Sequence, residues 1–138
     1  MRLAVAYAKS KGVAIVAAAG NSGGSVGYPA AYEDTIAVAA SDSGDKLADF
    51  SSRGKQVDFI APGVDVESSV PGGKHDRYSG TSMATPHMAG LAALAVQQGA
   101  AGKDGVMTAL RRASKPLANL KPEEQGVGMP DAGALLGR

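Results

Sequence analysis

The sequence has 138 residues, which suits one domain of ordinary size and is too short for two. Fourteen basic and thirteen acidic side chains give a net charge of +1, which argues against a protein that binds nucleic acid or an anionic membrane through bulk charge. No cysteine is present, so disulfides, thiolate zinc sites and a thiol nucleophile are excluded.

Small residues dominate the apolar part of the composition. Alanine is the most frequent residue, glycine occurs 19 times, and only six residues are aromatic. A core built from such residues requires closely approaching backbones, which favours helices packed on a parallel sheet. The sequence therefore predicts an α/β domain.

The first half of the chain predicts a helix and three buried strands. Met1–Lys11 has helical periodicity, with lysines near its end. Its longest apolar run is shorter than the apolar core of a signal peptide. A chain that opens on such a helix is expected to be the second part of something longer. Uninterrupted apolar runs predict strands at Val13–Ala19, Thr35–Ala40 and Val57–Ala61, with a loop at Gly20–Ser25.

The second half predicts a short fourth strand and three helices. Val64–Val70 is the strand, and it is closed by a Pro-Gly-Gly turn. The helices are expected at Ser79–Gln98, with Pro86 in its first turns, at Asp104–Ala113 and at Met129–Leu136. The polar segment Leu117–Gly128 is expected to be a loop, and no stretch is long enough to span a bilayer.

Two short motifs carry candidate chemistry. Ser82, in GTSMATPHMAG, is expected at the amino end of a helix, where the dipole favours an oxyanion; Gly80 would let a substrate backbone approach. Asn21 follows the buried strand that ends in AAAG, at the edge where open sheets bind ligands, and its amide can donate to developing negative charge. Taken singly, Ser82 also fits a plain helix cap, and Asn21 also fits a turn residue.

Taken together, GTSMATPHMAG and VAIVAAAGN resemble the subtilisin-like serine proteases, the subtilases. The resemblance continues through VGYP, FSSRG, APG and GVGMPDAGALL, and it covers essentially the whole chain. It implies a three-layer α/β/α fold with a mainly parallel sheet, of which residues 1–138 would be the carboxy-terminal part of the catalytic domain.

The resemblance also implies roles for individual residues. Ser82 matches the nucleophile and Asn21 the side-chain oxyanion donor, with the Ser82 backbone N–H as the second donor. The small residues that match the walls of the primary specificity pocket are Ala18, Gly20 and Gly27. Tyr28-Pro29 matches a cis peptide bond, and His87 matches a structural histidine.

The chain departs from the family at the catalytic triad. The family's order is Asp, His, Ser, and only the Ser segment is found here, because no His-Gly dipeptide occurs. Asp42-Ser43-Gly44 spells the D-S-G of the Asp segment, but a polar pair follows and the surrounding block matches a different family segment. The sequence therefore predicts a serine endopeptidase that needs Asp and His from a missing amino-terminal part.

Two other readings remain open. An inactive, truncated or degenerate subtilase could bind peptides or a partner, with self-association through the face that the missing part would cover. A free-standing hydrolase would need a local base; His87 points to another helix face than Ser82, whereas His75 is expected in a glycine-rich loop and could approach.

The chemistry itself requires no cofactor, although the resemblance predicts a weak structural site for calcium or a monovalent cation. Its ligands would be the carbonyls of Ala30, Tyr32 and Thr35, with Asp58 nearby; Asp58 fits a solvated surface carboxylate equally well.

Polypeptide is the expected substrate, with no nucleic-acid or membrane partner. Ser22 replaces an acidic residue common in the family, which would reduce preference for basic substrates. A secreted or extracytoplasmic parent protein is expected.

Overall fold

The computed structural model describes all 138 residues, and its centre is a parallel sheet of three strands. The strands are β1 (Ile15–Ala18), β2 (Thr35–Ser41) and β3 (Phe59–Pro62), in the spatial order β1-β2-β3. The central strand β2 is buried along its whole length, which explains its uninterrupted apolar sequence. The predicted α/β class with a parallel sheet is confirmed.

Helices cover one face of this sheet. They are α2 (Thr81–Gln97) and α3 (Gly102–Arg112), and alternate residues of β2 and β3 such as Val38 and Phe59 pack against α2 at Met88. The opposite face presents Ala37, Ala39 and Ile60 to the segment 26–31 and to Leu117 and Leu120. On that side the helices are short: α4 (Pro122–Gln125) contacts β2 and β3, and α1 (Arg2–Ser10) lies beside β1.

Two small antiparallel sheets complete the fold. A hairpin of β4 (Val66–Val70) and β5 (Lys74–Tyr78) leads into the amino end of α2, and β6 (Ser114–Lys115) pairs with β7 (Met129–Pro130) before the one-turn helix α5 (Ala132–Leu135).

The structure corrects several predicted boundaries. Strand β1 begins at Ile15, not Val13, and the predicted last helix begins only at Ala132, after β7. The glycine-rich loop expected before Ser79 is the strand β5, whose KHDRY sequence is fully exposed and so lacks apolar alternation. The segment predicted as an open loop, 117–128, contains α4.

The sheet meets α2 through a close approach at Gly63. Its N–H donates to Ser41 O at 2.9 Å, and its carbonyl accepts from Gly80 N at 2.8 Å. A β-carbon at Gly63 would lie 2.6 Å from Ala40 Cβ and 2.8 Å from Gly80 O, so only glycine fits. This contact sets where α2 begins relative to the carboxyl ends of the strands.

We expect Gly63→Ala to lower the free energy of unfolding by about 1–3 kcal/mol, because the added methyl overpacks a backbone contact. Gly90→Ala is the matched control, since a methyl there meets nothing within 4 Å on an exposed helix face. It should stabilise the chain by up to about 1 kcal/mol through helix propensity. Urea unfolding followed by circular dichroism measures both, and equal effects would contradict the close approach.

Candidate active site

The loop that carries Asn21 is held by the segment that passes beneath it. Ser52 N donates to Gly20 O at 2.8 Å, and Gly23 N donates to Phe50 O at 2.8 Å. Asn21 therefore follows β1 on a backbone whose two sides are anchored, which fixes the direction of its side chain.

The side chain of Asn21 is locked by Thr81, sixty residues away. Its Oδ1 accepts from Thr81 N at 2.8 Å and from Thr81 Oγ1 at 2.9 Å. The same hydroxyl oxygen accepts from Gly20 N at 3.1 Å, and Thr81 is fully buried. Because Oδ1 is bound to two donors of α2, the Nδ2 amide group must point the other way.

Two hydrogen-bond donors lie near Gly80 at the amino end of α2. A β-carbon at Gly80 would lie 3.3 Å from Asn21 Nδ2, 3.6 Å from Ser82 N and 3.6 Å from Met83 Sδ, so the two donors stand close to the same point. Neither group donates to an acceptor within the chain. Ser82, the second residue of α2, is exposed beside them.

This arrangement suits a reaction that develops negative charge on an oxygen. A fixed amide and a free N–H at a helix amino end are donors of the kind that stabilise a tetrahedral oxyanion. They are already oriented, so no reorganisation is needed when the charge forms.

Small residues line the neighbouring edge of β1. Gly27 N donates to Ala19 O at 2.9 Å, which places Gly27 next to the residue between Ala18 and Gly20. That these three residues form a pocket wall stays a prediction from the family resemblance. Gly20 has a φ of +119°, and a β-carbon there would lie 2.9 Å from Ser52 Oγ.

The side chain of Ser22 contacts that of Ser52, with a distance of 3.3 Å between the two hydroxyl oxygens. The Tyr28–Pro29 peptide bond is cis, as the resemblance implies.

Neither histidine of the chain pairs with Ser82. His75 is the second residue of β5, opposite Ser69 and next to the hairpin turn. At about 3.3 Å per residue, it lies about 10 Å along the strand from Tyr78, and the strand ends before Ser82. His87 Nδ1 lies 2.9 Å from Met83 O, within its own helix. Neither histidine therefore makes a hydrogen bond to Ser82.

The carboxylate of Asp42 stabilises the turn that follows it in the chain. Its Oδ1 accepts from Gly44 N at 2.8 Å and from Lys46 N at 3.0 Å, and these backbone N–H groups, Lys46 first, lower the pKa of its carboxyl. No histidine shares a hydrogen bond with it. The D-S-G segment thus forms a turn after β2.

The residues predicted to hold a cation lie at the opposite edge of the sheet. Thr35 begins β2, and Asp58 stands just before β3, where its Oδ2 accepts from Ala37 N at 2.9 Å. Burial raises the pKa of Asp58, while the Ala37 N–H and the cations of Lys103 and Arg111 oppose that rise.

Comparison with known proteins identifies the family of this chain. Residues 1–128 match the model of the family described as the subtilase family. The chain belongs to the subtilase family. It is 56% identical over 97 residues to the thermophilic serine proteinase of Bacillus sp. (strain AK1), and 52% identical over 99 residues to subtilisin E of Bacillus subtilis (strain 168). These matches span 70% and 68% of this chain, but only 24% and 26% of the two relatives.

A subtilisin of Bacillus pumilus is 52% identical over 99 residues, which are 68% of this chain and 36% of that protein. Among solved structures, the prenylagaramide maturation protease PagA superposes with a TM-score of 0.85 at 28% identity. That superposition covers 99% of this chain and 54% of the solved chain. No helix of the chain is both long and apolar enough to cross a membrane.

Sequence reasoning on the subtilase motifs missed Thr81. Its signal was present, because a hydroxyl residue directly before Ser82 at a helix start can bond to backbone and side chain alike. Which partner it takes depends on β1 meeting α2, and that contact is not encoded locally.

We expect Thr81→Val to lower the free energy of unfolding by about 1–3 kcal/mol, because Gly20 N and Asn21 Oδ1 each lose a buried partner. In nuclear magnetic resonance spectra the Asn21 side-chain amide should also broaden or shift.

Thr85→Val is the matched control for Thr81→Val, since its hydroxyl only donates to Thr81 O within the same helix. It should change stability by no more than about 0.5 kcal/mol. An unchanged Asn21 amide signal in Thr81→Val would contradict the conclusion that Thr81 orients the Asn21 side chain.

Proposed function

We propose that this chain is the nucleophile-bearing part of a subtilisin-type serine endopeptidase. The observation that carries the proposal is the pair of donors without an acceptor in the chain, Asn21 Nδ2 and Ser82 N, that lie near Gly80 beside the exposed Ser82. A helix cap or a turn residue would have no need for such a pair.

In the proposed reaction Ser82 Oγ attacks the carbonyl carbon of a peptide bond. A histidine from a complementing polypeptide takes the Oγ proton and returns it to the leaving amine, and an aspartate of that polypeptide orients the histidine. Asn21 and the Ser82 amide donate to the oxyanion, and water then hydrolyses the acyl-enzyme. Residues 1–138 would correspond to the carboxy-terminal part of the catalytic domain.

The proposed substrate is a polypeptide with a large apolar side chain before the scissile bond. Ala18, Gly20 and Gly27 leave room at the edge of β1, and no carboxylate stands at Ser22 to attract a basic side chain. The opposite wall would come from the complementing part. We extend the proposal to a secreted or extracytoplasmic parent protein, on the family resemblance alone.

A second candidate function is a module that binds a peptide or a partner without catalysis. It is favoured by the uncovered surface around β1, which pairs on one side only. Several apolar side chains near the ends of α1 and α2 are exposed, namely Leu3 at 87%, Tyr7 at 66% and Val96 at 54%. Such a surface on a soluble chain indicates an interaction site.

The test of catalysis is labelling with a fluorophosphonate, read by intact mass. The chain alone should label no faster than Ser82→Ala, because no local histidine reaches Ser82. Refolding with the Asp- and His-bearing part of subtilisin E should accelerate labelling about 10³-fold or more and restore peptide hydrolysis. Rapid labelling of the chain alone that is lost in His75→Ala would overturn the need for a second part.

Size-exclusion chromatography separates failed assembly from failed chemistry. If the two parts co-elute but neither label nor hydrolyse peptide, the endopeptidase proposal is wrong and the binding module is favoured. Asn21→Leu in the same mixture should keep co-elution and slow hydrolysis, because it removes one oxyanion donor.

The uncovered surface predicts self-association of the isolated chain. In sedimentation velocity at micromolar concentration we expect species larger than the 13.8 kDa monomer. The double change Leu3→Lys and Val96→Lys should shift the distribution toward monomer, since it places charge on the exposed apolar positions. Lys55→Glu, on an exposed residue elsewhere, serves as the control. A wild-type chain that stays monomeric would contradict the prediction.

A further inference from the structure

A hollow at the amino ends of β2 and β3 is lined by residues whose charges are unsuited to binding a metal ion. It has a volume of about 490 Å³ and lies at the sheet edge opposite Ser82. The side chains with polar groups that line it are those of Tyr32, Glu33, Thr35, Lys55, Gln56, Asp58, Lys103 and Arg111. This is the place where the family resemblance predicts a weak structural cation.

Two of the three carbonyl oxygens expected to bind that cation, those of Ala30 and Tyr32, lie beside a hydroxyl of the chain itself. Thr35 Oγ1 lies 3.0 Å from Pro29 O, 3.2 Å from Ala30 O and 2.9 Å from Tyr32 O. Tyr32 O also accepts from Thr35 N at 3.1 Å. The single hydroxyl proton serves one of these oxygens at a time, but the Thr35 side chain occupies the position beside which the three carbonyls lie.

The next carbonyl in the same segment is bound by an ammonium group. Lys103, in the first turn of α3, donates from Nζ to Glu33 O. Lys103 thereby connects α3 to the segment that precedes β2. It delivers a positive charge to the rim of the hollow.

The charges of the side chains that line the hollow also do not suit a metal cation. Three basic side chains, those of Lys55, Lys103 and Arg111, line it with only two carboxylates, those of Glu33 and Asp58. Calcium takes 6–8 oxygen ligands, usually with several carboxylates. Here no group of three or more acidic or histidine side chains could hold a metal ion. The residues present do not fit a structural metal cation.

We propose that the ammonium group of Lys103 performs the task that a structural cation would have there. It supplies a resident positive charge to the carbonyl-lined segment 29–35, fastens α3 to the start of β2 and makes the hollow reject metal cations. The fold is then stable without added calcium or potassium. This proposal is independent of the chemistry at Ser82.

Thermal unfolding of the 138-residue chain with calcium, potassium or a chelator tests the proposal. The wild-type midpoint should be the same in all three at constant ionic strength. Lys103→Met should lower it by about 3–6 °C, because a charged hydrogen bond to a carbonyl is lost. Lys103→Arg, which keeps the charge and a donor, should recover part of the loss.

Lys55→Met is the matched control, because Lys55 lines the same hollow but is exposed and makes no hydrogen bond within the chain. It should shift the midpoint by about 1 °C or less. Equal shifts for Lys55→Met and Lys103→Met would overturn the proposal, as would a saturable rise of the wild-type midpoint with calcium or potassium.

A direct binding measurement decides the matter if Lys103→Met fails to fold. Equilibrium dialysis of the wild-type chain against radioactive calcium should detect no stoichiometric binding. Stoichiometric binding that is lost in Asp58→Asn would place a metal ion in the hollow and refute the role given to Lys103.

Discussion

The contact between Asn21 and Thr81 is the constraint on which the site depends. It joins the carboxyl end of β1 to the amino end of α2, two positions sixty residues apart in the chain. Since Thr81 N and Thr81 Oγ1 both donate to Asn21 Oδ1, the amide nitrogen is directed away from Thr81. Ser82 follows Thr81 directly, so the same contact also places Ser82 near the amide.

This contact can form only because the backbones around it approach closely. Gly63 stands between Ala40 of the central strand and Gly80 at the start of α2, and its carbonyl accepts from Gly80 N. Larger side chains at these points would push α2 away from the sheet. The abundance of alanine and glycine is therefore a requirement of the site as well as of the core. The large buried side chains, among them Phe59, Met88 and Leu110, lie farther from the site, on the helix-covered face.

The polar groups at the two ends of the parallel strands differ in whether they have hydrogen-bond partners. At the carboxyl ends of the strands, Asn21 Nδ2 and Ser82 N donate to no acceptor within the chain. At the amino edge, the carbonyls of the segment 29–35 face Thr35 Oγ1 and the Lys103 ammonium group, and Asp58 is bound to Ala37 N. One end of the sheet therefore has two backbone or side-chain donors without a partner, whereas the other end uses its polar groups for contacts within the chain.

The sequence by itself determined the α/β class, the three parallel strands, the long helix that begins near Ser82 and the candidate pair of Ser82 and Asn21. These follow from apolar run lengths and from motifs whose chemistry is local. It did not reveal β5, because a fully exposed strand such as KHDRY carries no apolar alternation. Nor did it reveal Thr81 as the partner of Asn21, the distance of His75 from Ser82, or the engagement of the Ala30 and Tyr32 carbonyls by Thr35. Every residue has a carbonyl and many have a hydroxyl, so only the packing of distant segments decides which of them meet.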